Sequence, residues 1–576
     1  MGRSKPVFKK QKFKGNMYTK KKPGPVLPSN DKVSTSFFKV GNGLSDLCSG
    51  IDEDEVKTSG YRLIDISLLS TAINAFCLCS HCETVNCLKV KEESREGLAS
   101  VMKIYCENCE HDYSFHTSKR ASGGFFDCNF RFTYGLRCLG KGHEGGKLLC
   151  GVMNMPPPIA RFDKLNNVLL NRVTEVSKRV MKNAVEEVMN VKQNENCDGV
   201  ISDLSVSVDG TWMKRGHTSL YGVSSIISID TGKVLDIETM SKYCHDCSTR
   251  SKLDNPVEEE SWQDKHKALC KKNYTGSSGG MESAAVVKMF NRSEPLYGVR
   301  YVNYLGDGDS QSFKSVVHSK PYDCDIVKLE CIGHIQKRVG GRLRRLVKDY
   351  KGRKLDDGKS IGGRGRLSQK EIDSLQVYYG KAIRENNSSV DDMRKAIWAI
   401  YFHKLSTDDN PTHGLCPKDG WCKYNVDKDN YKHKHGLPEA VMLAMKNIFK
   451  SLSDRDLLKR CLHGKTQNNN ESFNNMVWLR CPKTTFCGVN VMKIAVYDAV
   501  ICFNSGNKGR IDVLIAAGLE PGVFTITLLQ EIDQRRVEKA ELSLSDIEKQ
   551  SRKEKRSKKR GIEAADEDGA YECGAY

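Results

Sequence analysis

The sequence predicts an α/β protein in which a mixed sheet is preceded by a cysteine-rich module and interrupted by a mostly helical segment. Apolar and polar residues alternate from 204 to 209, as in a half-buried strand. Further strand-like segments follow at 219–230, 233–240, 299–307 and 325–331. Apolar residues recur at helical spacing in 161–193 and 335–354, and we also expect helices in 368–403 and 437–462. Strands in this order, with helical pieces between the later ones, favour a mixed α/β layer.

At 576 residues the chain is long enough for several domains, each with its own core. We expect seven successive regions along it. They are a basic, disordered arm at 1–45, a cysteine-rich, zinc-ribbon-like module at 46–160, a helical connector at 161–200, the first part of the α/β core at 201–335, a helical insertion at 336–465, the final core helix region at 466–505 and a C-terminal region with a charged tail at 506–576.

A net charge of +19 and a pI near 9.0 favour a polyanionic partner, with nucleic acid the first candidate. Lysine-rich segments near both ends suit contact with phosphates or with an import receptor. The basic residues of 335–354 differ because they share an amphipathic helix with an apolar face. We expect this helix to bind DNA phosphates, although a solvated basic face would give the same pattern. Its candidate DNA-binding residues are Lys337, Arg338, Arg342, Arg344 and Arg345.

The sequence contains no apolar run long enough to span a membrane, and its N-terminus is basic and polar rather than signal-like. We therefore expect a soluble, intracellular protein with no membrane partner. We therefore expect the 23 cysteines not to form disulfides in a reducing compartment, and we expect metal binding by those with suitable spacing.

Three acidic residues occupy the ends of predicted elements. Asp209 ends the strand pattern in VSVDGTWMKRG, and Asp307 ends a later one in YVNYLGDGDSQSF. Glu471 lies in the first turn of a predicted helix in QNNNESFNNMVWLR, where Asn470 can cap the N-terminus. Such oxygens suit Mg²⁺, and two ions can activate an attacking hydroxyl and stabilise the leaving oxygen of a phosphodiester. Each acid also has a simpler interpretation, as a turn residue or as a partner of a helix dipole.

Two sets of cysteine and histidine have the spacing of structural zinc sites. The first pairs Cys79 and Cys82 with Cys106 and Cys109, and unliganded buried cysteine is its alternative. The second is a C-x₂-C followed by an H-x₃-C, and it contains Cys244, Cys247, His266 and Cys270. Closed, thiolate-rich sites stabilise structure, so we expect zinc here to be structural and the chemistry to occur at the carboxylates.

A third set has only three evident ligands, His413, Cys416 and Cys422. Cys461 or His463 could supply the fourth.

Seven segments, in the same order, resemble the Mutator-like transposases of the type whose core begins with a DGTW strand. They are VDGTWMKRGHTSLYGVSS from 208, CHDC at 244–247, WQDKHKALCKKNYTGSSGGMES from 262, YLGDGDSQSF from 304, KLECIGHIQKRVG from 328, HGLCPKDGWCKY from 413 and NNNESFN from 468. The resemblance covers about 60–500. It implies a ribonuclease-H-like catalytic core with a DDE triad, interrupted by a helical insertion between the second Asp and the Glu.

The resemblance assigns the triad to Asp209, Asp307 and Glu471, with Asp309 as an alternative second acid. It also matches a C-x-x-H element to Cys331 and His334, for which a buried cysteine and a helix-capping histidine are the alternative. The implied protein is a nuclear DDE transposase that uses two Mg²⁺ ions, with zinc in structural sites. It would cut and join double-stranded DNA at terminal repeats and targets, acting as a homo-oligomer on DNA.

Two other functions remain open at this stage. One is a domesticated, transposase-derived nuclear protein that binds DNA or regulates without catalysis. The other is a zinc-stabilised scaffold with no nucleic-acid activity.

Overall fold

The computed structural model describes residues 35–40, 59–193, 202–214, 218–249, 256–307, 311–418, 420–434 and 436–545. The chain divides into two compact units, Gly43–Asp533 and a smaller one formed by Met1–Asn42 and Gln534–Tyr576. Most of the predicted basic arm and charged tail lies outside the described residues, as does Asp309. The predicted domain boundaries stay predictions.

Eight strands are described, and they form two sheets. The strands are β1 Leu88–Glu96, β2 Ala99–Cys106, β3 Asp112–His116, β4 Ser202–Trp212, β5 Tyr221–Ser228, β6 Val234–Ser241, β7 Val299–Gly306 and β8 Val327–Glu330. The described helices are α1 Thr35–Val40, α2 Ile66–Phe76, α3 Asp127–Cys138, α4 His143–Val152, α5 Phe162–Gln193, α6 His245–Thr249, α7 Pro256–Lys267, α8 Gly280–Tyr297, α9 Gln311–Ser319, α10 Ile332–Asp349, α11 Gln369–Glu385, α12 Val390–Leu405, α13 Lys423–Val426, α14 Glu439–Leu452, α15 Arg455–Lys459, α16 Asn468–Arg480, α17 Val489–Ser505, α18 Gly509–Ala516 and α19 Val523–Leu544.

The larger sheet has five strands in the order β6-β5-β4-β7-β8. Strands β4, β5 and β6 pair antiparallel, whereas β4 pairs parallel with β7 and β7 pairs parallel with β8. Every residue of β5 is buried, as expected for a strand covered on both faces by helices. The prediction of a mixed α/β layer is confirmed.

A long helix, α5, covers part of this sheet. Leu169, Val173 and Val176 recur at spacings of four and three and are fully buried, so one continuous apolar face forms. Further along the same helix, Val185 and Val188 share a buried cluster with Leu204 of β4. The predicted connector is therefore one helix that packs on the sheet.

Helix α8 leads directly into β7, which carries the second predicted acid at its end. Gly298 adopts a left-handed conformation with φ of 66°, and its N–H donates to the carbonyl of Glu294. Glycine meets no steric penalty in that conformation, so this helix stops sharply. The chain then enters β7 at Val299 and places Asp307 one residue beyond the strand's end.

The region between β8 and α16 is mostly helical, as predicted, but with more breaks. The segment 368–403 forms two helices because Ser368 caps α11 through the N–H of Glu371, and Ser389 caps α12 through the N–H of Asp392. The segment 437–462 also divides, where Asp454 caps α15. Apolar faces of α10, α11, α12 and α14 meet in one buried cluster that includes Tyr379.

The cysteine-rich region contains the smaller sheet, an antiparallel set in the order β1-β2-β3. Cys79, Cys87 and Cys106 are buried at one end of it. The helix α3 that follows packs elsewhere, because Phe130 and Tyr134 share a buried cluster with residues of α5 and α17. In the part of the chain that the structure describes, no helix is both long and apolar enough to cross a membrane.

Candidate active site and metal centres

The pairing of β4 with β7 brings two of the predicted acids to one edge of the sheet. The last register pair of these parallel strands is Ser207 with Leu305. Asp209 and Asp307 each follow two residues later. Asp209 does not end its strand as predicted, since β4 continues antiparallel to β5 through Trp212. At Asp209 the parallel pairing with β7 has stopped, so the side of β4 that faced β7 has no neighbouring strand there.

Asp209 lies beneath helix α16, where the Asn474 side chain donates a hydrogen bond of 2.8 Å to Asp209 Oδ2. Burial, together with the smaller effects of the nearby charges of Glu282 and Glu471, raises the pKa of Asp209 to about 7. A cation bound beside this carboxylate would replace the water lost on burial and so stabilise its ionised form.

Glu282 is a fourth acid at this edge, and the sequence reasoning missed it. The Trp212 indole donates to the carbonyl of Ser278 at 2.8 Å, which ties β4 to the chain just before α8. Glu282, in the first turn of α8, then packs over Gly210, and the Ser312 hydroxyl donates to Glu282 Oε1 at 2.9 Å. Burial raises the pKa of Glu282, and the charge of Asp307 adds to the effect. The available signal was an acid two residues after the SSGG segment.

Asp307 is flanked by basic side chains of α10. His334 Nδ1 lies 3.3 Å from Asp307 Oδ1, and Arg338 Nη2 lies 3.7 Å from the same oxygen. Arg338 also pairs with the buried Glu330 at 3.3 Å. The C-x-x-H element thus lies near the acids, with Cys331 at the N-cap of α10, where its Sγ accepts from the Gln467 N–H.

Glu471 projects from the first turn of α16, with its side chain 59% exposed and Lys337 Nζ at 3.9 Å. The predicted cap at Asn470 is wrong. The helix begins at Asn468, and Asn470 is fully buried, where it accepts from Ser207 Oγ at 2.6 Å and donates to the Ser207 carbonyl. These bonds fasten α16 to β4 and so place Glu471 above the same edge.

The acids lie at the same edge of the sheet, but their carboxylate oxygens are not close enough together to bind one ion in this arrangement. Among the described residues, those whose ligand atoms all lie within 4.8 Å of one another form three groups of cysteine and histidine, and the acids are in none of them. The donors beside Asp209 and Glu282 are neutral, Asn474 and Ser312. Partly buried carboxylates with neutral partners fit a divalent cation, which takes oxygen ligands and completes its shell with water and phosphate.

The basic face of α10 is partly used inside the protein. Arg344 pairs with Asp373 at 2.7 Å, and Arg342 donates to Ser451 at 2.6 Å. Arg345 is 84% exposed, with only a 3.9 Å pair to Asp349 one turn later. Lys337 and Arg345 are therefore the members of the predicted set best placed for phosphate, while Arg338 faces the acids.

Both complete cysteine sets are assembled. In the first, Cys79 Sγ lies 3.6 Å from Cys109 Sγ, and Cys82 Sγ lies 3.7 Å from Cys106 Sγ. Four thiolates bonded to zinc at about 2.3 Å would be separated by about 3.8 Å, so the arrangement could hold zinc. Cys87 Sγ, at 3.4 Å from Cys106, donates toward the Thr84 carbonyl instead.

In the second set, His266 Nε2 lies 3.0 Å from Cys247 Sγ and 3.5 Å from Cys244 Sγ. Cys270 is 3.7 Å from Cys247. This group joins the start of α6 to the end of α7, across the connection that follows β6.

The third set is completed by a residue that the sequence reasoning did not name. His403 joins His413, Cys416 and Cys422 within 4.8 Å. The two predicted alternatives are wrong. Cys461 is buried in the helical core, where its thiol faces the Leu457 carbonyl, and His463 Nε2 bonds to the Glu330 carbonyl at 3.0 Å.

These features define an α/β protein with an acidic sheet edge, flanking basic side chains and three clusters that could bind zinc. The family model of the Mutator-like transposases matches residues 60–422, which include Asp209, Glu282 and Asp307. The protein belongs to this family. The match ends before Glu471. A comparison with curated proteins found no match. Transposases as a class bind DNA and cleave and join its strands.

Proposed function

We propose that this protein is a DDE transposase that cleaves DNA at the ends of a mobile element and joins the freed 3′-OH to target DNA. Asp209, Asp307 and Glu471 are its proposed catalytic acids. The observation that carries the proposal is that Asp209 and Asp307 occupy equivalent positions on neighbouring strands. The parallel pairing of β4 with β7 stops two residues before each of them. That placement directs both carboxylates to one edge, beneath the helix that bears Glu471.

The sheet also supports the proposed ribonuclease-H-like core. Three consecutive antiparallel strands are followed by two strands added in parallel on the far side of β4, and the helical region lies between β8 and the helix of Glu471. This is the order that the family resemblance implies for a core with a helical insertion.

Two Mg²⁺ ions, when bound, would activate the attacking oxygen and stabilise the leaving 3′-oxygen. The chain's own residues have simpler tasks. Asp209, Asp307 and Glu471 hold negative charge at one place, and Asn474 orients the Asp209 carboxylate through its 2.8 Å bond. Lys337 and Arg345 would contact DNA phosphates, and His334 and Arg338 would hold Asp307 in position.

The catalytic test uses a donor plasmid with the DNA that flanks this coding sequence. We expect Mg²⁺-dependent cleavage and strand transfer by the full chain, and a loss of at least about 10³-fold for Asp209→Asn and for Glu471→Gln, since charge stabilisation at the reacting phosphate is lost. Matched controls are Asp203→Asn, also on β4 but paired with Arg300, and Glu439→Gln, in the first turn of α14. Full activity of either triad variant would refute the metal-ligand assignment.

The same assay addresses the domesticated alternative. A nuclear DNA-binding protein without catalysis would bind duplex DNA in a salt-sensitive manner but leave the flanking DNA intact at every Mg²⁺ concentration. A scaffold protein would not bind DNA at low salt. We place the proposed activity in the nucleus and on paired protomers.

We propose further that the zinc-ribbon-like sheet recognises the element ends. Deleting 46–160 would not test this cleanly, because Phe130 and Tyr134 belong to a core shared with α5. Disrupting the first cysteine set alone is sharper. Cys106→Ala should abolish end-specific binding but spare metal-dependent nicking of unrelated DNA, whereas equal loss of both would contradict the assignment.

A further inference from the structure

A cluster of potential metal ligands lies in the helical region, distant in sequence from the proposed catalytic acids. Its potential ligands are His403 at the end of α12 and His413, Cys416 and Cys422 in the loop that follows. The two cysteines are 7% and 0% exposed, and neither is part of a disulfide. We infer that these four residues bind a third structural zinc ion, supported by His433 and Asp408.

The distances agree with a tetrahedral zinc site. The Nδ1 atoms of His403 and His413 are 3.1 Å apart. Each thiol sulfur lies 3.5–3.8 Å from these two nitrogens. With bonds of about 2.0 Å to nitrogen and about 2.3 Å to sulfur, a tetrahedron has N–N edges of about 3.3 Å and N–S edges of about 3.5 Å. Two nitrogens and two sulfurs around one centre leave no open position.

The outer nitrogen of His413 begins a chain of hydrogen bonds. His413 Nε2 lies 2.9 Å from both Ser406 Oγ and His433 Nε2. His433 Nδ1 in turn lies 2.7 Å from Asp408 Oδ1. With Nδ1 of His413 directed to the metal, its Nε2–H donates to His433, whose Nδ1–H donates to Asp408. Such a carboxylate at the end of the chain fixes the tautomer and raises the basicity of the ligand.

The site explains how an irregular segment keeps a defined structure. Between α12 and α14, the described part of the chain has only one short helix, α13. His413, Cys416 and Cys422 lie outside that helix and are nevertheless buried. Zinc would join three points of this segment to α12. Binding free energy at a closed site of this kind contributes directly to folding. The inference does not depend on whether the protein cuts DNA.

The decisive measurement is zinc per chain in the purified, full-length protein, by elemental analysis. We expect three equivalents in the wild type and two in His403→Ala. The controls are His463→Ala and Cys461→Ala, which alter the two candidates suggested by sequence and should retain all three. Equal zinc content in the wild type and His403→Ala, or loss of one equivalent in a control, would overturn the ligand set.

A second variant tests the site even if His403→Ala fails to fold. Asp408→Asn leaves all four ligands in place, and Asp408 is exposed. We expect it to release one of three zinc ions to a chelator about 10–100-fold faster than the wild type, because the support of His413 is weakened. Asp409→Asn, at the next residue, should behave as the wild type. Identical release from all three proteins would contradict the proposed chain.

Discussion

Glu282 lies so close to Gly210 that a β-carbon on Gly210 would come within 2.5 Å of Glu282 Oε2. The absence of a side chain at Gly210 is thus what lets a second partly buried carboxylate lie close to Asp209. Its charge disfavours ionisation of Asp209 and adds to the effect of burial on the pKa of Asp209, while the charge of Asp307 acts in the same way on Glu282.

Replacing Glu282 should therefore change how proton binding competes with metal binding at Asp209. In Glu282→Gln the pKa of Asp209 falls, because a neighbouring negative charge is lost. We expect the pH midpoint of Mn²⁺ binding, measured by electron paramagnetic resonance of free Mn²⁺, to move to lower pH. Glu294→Gln, on the same helix, should keep the wild-type midpoint. An unchanged midpoint in Glu282→Gln would show that the two carboxylates are not coupled.

The raised pKa of Asp209 also predicts the pH dependence of stability without divalent metal. Between the unfolded-state pKa of about 3.9 and the folded-state pKa of about 7, the folded state binds more protons at this residue than the unfolded state. Stability from this group is therefore present below that window and lost as pH rises through it. Asp209→Asn should be more stable than the wild type at pH 8, and the difference should vanish near pH 4. Urea unfolding at both pH values measures this.

A buried ion-pair network in the core should give the opposite pH dependence of stability. Asp498 accepts from Arg480 and Arg510, and these cations hold its pKa well below the usual range despite full burial. Its contribution is present above the unfolded pKa and is lost as pH falls below about 4. Asp498→Asn should cost about 3–5 kcal/mol at neutral pH, because two buried guanidinium groups lose their partner.

The matched control for Asp498 is Asp512→Asn, since Asp512 pairs with Arg179 at 3.2 Å on the surface. Exposed pairs contribute roughly 0–1 kcal/mol. Equal losses in urea unfolding for the two variants would mean that the buried network is not stabilising.

Two neighbouring arginines of α10 should differ in their effect on DNA binding. Arg345→Ala removes an exposed cation, so the slope of log affinity against log salt should become shallower by about 1. Arg344→Ala removes a side chain already paired with Asp373, so its slope should change less. Fluorescence anisotropy with duplex DNA over a salt series distinguishes the two. If Arg344→Ala had the larger effect, the DNA would contact the other side of this helix.

The first cysteine set predicts a local loss of zinc. Cys106→Ala should remove one zinc equivalent and lower the melting temperature, because the buried end of the small sheet loses its cross-link. Cys324→Ala alters a cysteine outside the three clusters and should retain the wild-type zinc content. Zinc retained in Cys106→Ala would point to Cys87 as the true ligand.

The sequence alone was enough for the mixed α/β layer and for the two complete cysteine sets. Alternation in 204–209 and periodic apolar residues in α5 report burial directly, because burial is decided by local geometry with periods of two and 3.6 residues. The C-x₂-C spacing is also local, since a short turn brings both sulfurs to one side of the chain. Helix ends were less secure, and the Asn470 cap was wrong because tertiary hydrogen bonds to β4 took that side chain.

Tertiary structure decided the residues that no spacing connects. His403 has the appearance of an ordinary position in an amphipathic helix, and only the folding of the following loop against α12 brings it to His413. Glu282 meets Asp209 because α8 crosses β4 at a residue without a side chain. The sequence by itself determined which segments are strands, helices and local metal-binding turns, whereas the approach of separate elements, governed by packing of their buried faces, decided which side chains share a site.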